Sequence, residues 1–166
     1  MNHIMKRRKK MKTKNNLQEV NGNHYERLEI EPVVLFKELK LNWFQAEPIK
    51  YISRFVNKNG VSDLNKAKHI ISMAKDMGIF ITIPERVTIL QFLRDGNKET
   101  ELIQRYMVQF RDWFIRSKSE EINTDYYRKF CDLIMNIILC QWSKALTYLD
   151  EIIYYFYGKE AFYEKE

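Results

Sequence analysis

Residues 124–157 read TDYYRKFCDLIMNIILCQWSKALTYLDEIIYYFY. Apolar residues recur there at steps of three and four, and they are dense enough to predict a central, mostly buried helix. It begins at Thr124 or Asp125 and ends at Tyr157, either continuous or broken once. A helix buried on most of its surface needs other helices around it, so this stretch decides the fold class.

The flanking chain supplies them. Pro84–Leu93 and Glu99–Ile115 read as two helices, and Phe80–Ile83 is a β-branched, short extended link. Upstream, Ser62 is placed to cap a helix over Asp63–Met77, with Leu64, Ala67, Ile70, Ile71 and Ala74 inward and Asp63 at the positive end of the dipole. Asn42 is placed to cap a helix carrying Trp43, Phe44, Ile49, Ile52, Phe55 and Val56. Pro48 interrupts that pattern, so the helix either begins near Glu47 or kinks. Glu31-Pro32 opens a short helix with Val33, Leu35, Phe36 and Leu39. The reading is all-α, a compact helical domain of about five to six helices.

Composition agrees. Of 166 residues, 45% are hydrophobic and 14% aromatic, which excludes wholesale disorder. Five glycines and three prolines are too few for a fold of many tight turns. Two cysteines, Cys131 and Cys140, read as core thiols rather than a disulfide scaffold.

The net charge of +6 is uneven. Lys6, Arg7, Arg8, Lys9, Lys10, Lys12 and Lys14 meet no acid within residues 1–14, and the rest of the chain is nearly neutral. Residues 1–20 therefore read as a disordered basic arm, and nucleic-acid binding is expected only through it. No apolar run reaches the roughly 18 residues of a membrane span. No apolar stretch follows the basic start, so the expected location is cytoplasmic.

Several chemistries are missing. There is no phosphate-cradling Gly-rich loop, no His-Glu-x-x-His and no cysteine pair at metal spacing. Glu26 and Glu29 have the spacing of one half of a helical pyrophosphohydrolase metal site, but no acidic partner motif follows. What remains is a cationic row. Lys50, Arg54 and Lys58 lie four apart and would share one face of a continuous helix. Asp63 lies across the turn at Gly60, placed to pair with them or to help hold a phosphate-bound metal. The same row is equally a wet helix face, with Tyr51, Ile52 and Phe55 as core.

Taken together, His24-Tyr25, Ile30-Glu31-Pro32, Ile49-Lys50-Tyr51-Ile52-Ser53-Arg54, Lys58-Asn59-Gly60 and Asp63-Leu64-Asn65-Lys66-Ala67 resemble a small domain common in tailed bacteriophages and prophages. That domain is usually described as of unknown function or as nucleotide kinase-like, without a P-loop. The resemblance spans His24–Met77. It divides the chain into the arm (1–20), a phage nucleotide-kinase-like helical domain (21–78) and a C-terminal helical region (79–166) packed with it. It implies a nucleotide as partner, in a bacterial host cell. Asp63, Lys50 and Arg54 are the implied catalytic residues, and His24, Tyr25, Tyr51, Lys58 and Lys66 the implied ligand contacts. Mg²⁺ at Asp63 is the implied cofactor. A non-enzymatic protein that sequesters a nucleotide or binds a host factor is the alternative. The aromatic C-terminal helix, Tyr148–Phe162, is suited to homo-oligomer contacts.

The arm reading has its own test. Deleting residues 1–14 is expected to abolish any DNA binding, and the parent's affinity to fall steeply between low and moderate salt. Fluorescence anisotropy at two salt concentrations checks both; equal DNA binding by the truncated chain would contradict the arm reading.

Overall fold

A computed structural model describes residues 28–81, 91, 96, 98–115 and 120–159. The basic arm, His24 and Tyr25, and nearly all of the helix expected over Pro84–Leu93 lie outside the described residues. Described are α1 (Pro32–Glu38), α2 (Trp43–Arg54), a 3₁₀ turn (Phe55–Asn57), α3 (Val61–Asp76), α4 (Lys98–Val108), α5 (Arg111–Ile115), α6 (Glu120–Ile138) and α7 (Trp142–Tyr157). No strand occurs among the described residues, and the fold is all-α.

Local chemistry sets the helix starts. Pro32 occupies the first turn of α1, where its missing N–H costs nothing. Asn42 caps α2 through a reciprocal box: its side chain accepts from the Gln45 backbone N–H at 3.1 Å, and the Gln45 side chain accepts from the Asn42 N–H at 3.0 Å. This box starts α2 at Trp43 and not near Glu47, so Pro48 lies inside the helix. Gln45 also donates to the Ile138 carbonyl at 2.6 Å, tying the start of α2 to the end of α6.

Three helix ends share one device. Leu41 N–H reaches the Phe36 carbonyl (3.0 Å), Ile79 N–H that of Ala74 (2.9 Å), and Gln141 N–H that of Asn136 (2.8 Å). Each is the long bond of a Schellman turn, whose pivot residue sits at positive φ. The pivots are Lys40 (φ 52°), Gly78 (φ 65°) and Cys140 (φ 52°). The turn at Cys140 breaks the long apolar stretch into α6 and α7. A second break, at Gln109 and Phe110, divides the single helix expected over Glu99–Ile115 into α4 and α5.

One continuous core results. Leu35, Ile49, Ile52, Leu64, Ile71, Tyr106, Phe110, Phe130, Leu133, Leu149 and Ile152 are fully buried within it. Each buried Leu or Ile contributes about 1.5–3 kcal/mol. Val33, on the opposite side of α1 from the buried Leu35, faces solvent. Helix α3 packs on both α2 and α7, and α6 on α7, so α3 stands between the matrix of aromatic helices and the face formed with α2. At one end Phe114 meets Phe130, Tyr155 and Phe156 with ring centroids 5.4–6.0 Å apart. Gln109 clamps the chain before α1 by exchanging two 3.0 Å bonds with the backbone of Ile30.

Lys40 is exposed, so its strained pivot has no packing to lose. Lys40→Gly is expected to stabilise the fold by about 0.5–1 kcal/mol, because glycine adopts that conformation without a Cβ clash. Urea denaturation checks the sign, and a loss of stability would contradict the assignment.

Candidate functional site

The connection from α2 to α3 is built around Asp63. Gly60 N–H donates to the Phe55 carbonyl at 2.9 Å, Ser62 N–H to that of Asn59 at 3.1 Å, and Asp63 N–H to that of Gly60 at 3.1 Å. Gly60 stands at the cap position of α3 with φ 53° and ψ −131°, a conformation open to glycine and strained for side-chain-bearing residues. The expectation that Ser62 caps this helix is thereby corrected. α3 begins at Val61, and the Ser62 side chain is left free of that duty.

Asp63 is completely buried, and its charge is met from three sides. Arg54 donates through Nε to Oδ2 at 3.0 Å and through Nη2 to Oδ1 at 3.4 Å. Asn59 Nδ2 donates to Oδ1 at 3.2 Å, and Lys66 Nζ lies 3.7 Å from the same oxygen. The two-point geometry gives the Arg54 pair both energy and direction. Lys66 is held more loosely, with half of its side chain exposed.

The expected row of three cations is only partly formed. Lys50 pairs with Glu47 one turn back on α2. α2 ends at Arg54, and the 3₁₀ turn carries Lys58 onto an exposed position off the helix face. In place of the row, cations gather around a ring. Arg54 Cζ lies 4.6 Å from the Tyr51 ring centroid, Lys50 Nζ 5.2 Å and Lys66 Nζ 5.7 Å. The negative face of the ring favours each of them. Against these three cations stand the carboxylates of Glu47 and Asp63, so the face keeps a positive excess.

Beside the ring lies an open groove of about 560 Å³ lined by Tyr51, Ser62, Asn65, Lys66, His69 and Ile70. That volume suits a small ligand. Ser62, Asn65, Lys66 and His69 recur at steps of three and four along α3 and form one polar stripe. Tyr51 and Lys66 were expected at the site. Ser62, Asn65 and His69 were not, although their spacing with Lys66 was visible in the sequence.

The donor set at Asp63 does not fit Mg²⁺. That ion takes oxygen ligands, whereas both Asp63 oxygens face nitrogen donors. No group of three or more His, Cys, Asp or Glu placed to hold a metal ion occurs among the described residues. The cysteines stand apart from the groove. Cys140 is buried and Cys131 half-buried, both as free thiols. Burial pushes the Cys131 thiol up from its ordinary value, so it is a poor nucleophile near neutral pH.

Two substitutions separate framework from ligand contact. Asp63→Ala is expected to lower stability by about 3 kcal/mol, because it removes the buried carboxylate that the Arg54 guanidinium faces. Lys66→Ala should cost less than about 0.5 kcal/mol, as expected of an exposed ion pair. Equal losses in chemical denaturation would contradict this division.

Residues 19–72 match the family described as "Protein of unknown function (DUF3310)". No curated protein and no solved structure matches the chain. No helix among the described residues is long and apolar enough to cross a membrane. The family match thus covers α1, α2 and most of α3, the segment that holds the ring of cations and the groove.

Proposed function

We propose that the chain binds a nucleotide in the groove between α2 and α3. The observation that carries this reading is the Tyr51 ring, with three cations around it, forming one wall of the groove. Lys66 is the natural phosphate contact, because its tie to Asp63 is long and its side chain is exposed. Ser62, four residues before it on α3, adds a hydroxyl to the lining of the groove. Asn65 and His69 supply hydrogen bonds for sugar and base, and Ile70 an apolar floor. From Ser62 to Ile70 α3 rises about 12 Å, the length of a nucleoside with one phosphate.

The resemblance to phage and prophage nucleotide kinase-like domains supports the same ligand class, and a bacterial host cell as the proposed setting. Binding is the better-supported half of that resemblance. No carboxylate is among the described residues that line the groove, and Asp63, an implied catalytic residue, is engaged by Arg54, Asn59 and Lys66. Phosphoryl transfer to a nucleoside monophosphate would have to rely on positioning and cationic charge, which that chemistry permits.

Thermal shift against ribo- and deoxynucleoside mono- and triphosphates, with and without Mg²⁺, tests the reading. A ligand held only by the folded chain raises the melting temperature by mass action. A selective rise is expected, reduced in Lys66→Ala and Tyr51→Leu. No rise with any nucleotide would overturn the reading and favour a host protein as partner.

A further inference from the structure

The last residue of α7 reaches the turn on which the groove is built. Tyr157 closes α7, and Gly158 follows at φ 71° with its N–H bonded to the Tyr154 carbonyl at 2.9 Å. The Tyr157 ring meets the buried Phe55 edge-on, with centroids 6.4 Å apart. Its hydroxyl lies over Gly60, so close that a Cβ built there would stand 3.1 Å from Oη. Burial pushes the phenol up from its ordinary value and the charge of Asp63 adds to that, which places Asp63 within electrostatic reach.

Gly60 is not a passive neighbour. Its N–H and carbonyl bond Phe55 and Asp63, and Asn59, beside it, donates to the Asp63 carboxylate. Movement of Gly60 would therefore shift Asp63 relative to Arg54, and with it the first turn of α3 that carries Ser62 and Lys66. The three heavy atoms nearest to a Cβ built on Gly60 all belong to Tyr157.

We propose that Tyr157 is a positioning residue for the groove. By seating its phenol on Gly60, α7 fixes the turn that aims Asp63 at Arg54 and sets Ser62 and Lys66 at the groove's edge. The inference rests on the nucleotide reading of that groove. It also gives the C-terminal half, which lies beyond the family match, a part in the site.

The test compares the full chain with Tyr157→Ala, Tyr157→Phe and Tyr154→Ala. Tyr154 is exposed one turn earlier on α7 and serves as the control. Nucleotide affinity is measured well below the melting temperature, and amide hydrogen exchange is followed by peptide. Tyr157→Ala is expected to weaken binding about fivefold, within the range by which residues outside a site modulate it. Exchange should quicken over residues 58–66 and stay unchanged in α6. Tyr157→Phe keeps Cε1 and Cζ against Gly60 but loses the hydroxyl that lies over it, and should restore both in part; Tyr154→Ala should leave both at parental values. Should Tyr157→Ala not fold, Tyr157→Leu carries the same comparison.

Unchanged affinity and exchange in the alanine variant would overturn the inference. So would a uniform rise in exchange, which marks general destabilisation. A parent chain that binds no nucleotide would overturn the reading of the groove, and the role of Tyr157 in a nucleotide site with it. Local quickening over residues 58–66 would then leave Tyr157 a structural clamp only.

Discussion

A carboxylate with no exposed surface must be neutralised where it sits, and Asp63 imposes that demand on everything around it. Its partner, Arg54, is the last residue of α2. The two helices are therefore joined by charge as well as by the packing of Ile49, Ile52, Leu64 and Ile71. To let Arg54 reach across, the chain must leave α2 at once, turn through Phe55–Asn57 and re-enter a helix at Val61. Glycine at position 60 is what that reversal requires. The pair does not add stability in proportion to its Coulomb energy, since desolvation offsets much of it. It selects one geometry for the connection, and that geometry decides where the groove lies.

The same pair divides labour among the cations. Arg54 is committed to Asp63 and Lys50 to Glu47, which leaves Lys66 as the cation least constrained by protein partners. Tyr51 holds all three near one another without neutralising any, because a ring face attracts cations while carrying no net charge. On the proposed reading, an anionic ligand would meet a preassembled positive surface instead of having to gather it. Preassembly lowers the ordering cost of binding, and for a shallow groove that cost matters more than contact area.

Much of this was legible in the sequence, and the failures have physical causes. The helices of α2, α3 and the long C-terminal stretch follow from periodicity, and the Asn42 cap from its residue type. The break between α6 and α7 was harder to place because its pivot is Cys140, where glycine would have announced the turn. Lys40 hides the end of α1 in the same way, whereas Gly78 marks that of α3. At the site, the pairing of Asp63 across the turn was readable from charge and spacing. The projected row failed at Lys58 because a spacing of four shares a face only while the helix continues, and α2 stops at Arg54. Ser62 was read as a cap because serine favours caps, a local preference that the Gly60 turn overrides. Tyr157 had no sequence signal at all. Its approach to Gly60 depends on how α7 lies against α3, which only tertiary packing determines.

The most direct measurement of the central claim is an amide chemical-shift titration of the isotope-labelled chain with a nucleotide. Binding in the groove predicts the largest changes at Tyr51, Ser62, Asn65, Lys66 and His69, with α6 and the Phe114 cluster quiet. Changes confined to other surfaces, or none at saturating nucleotide, would contradict it.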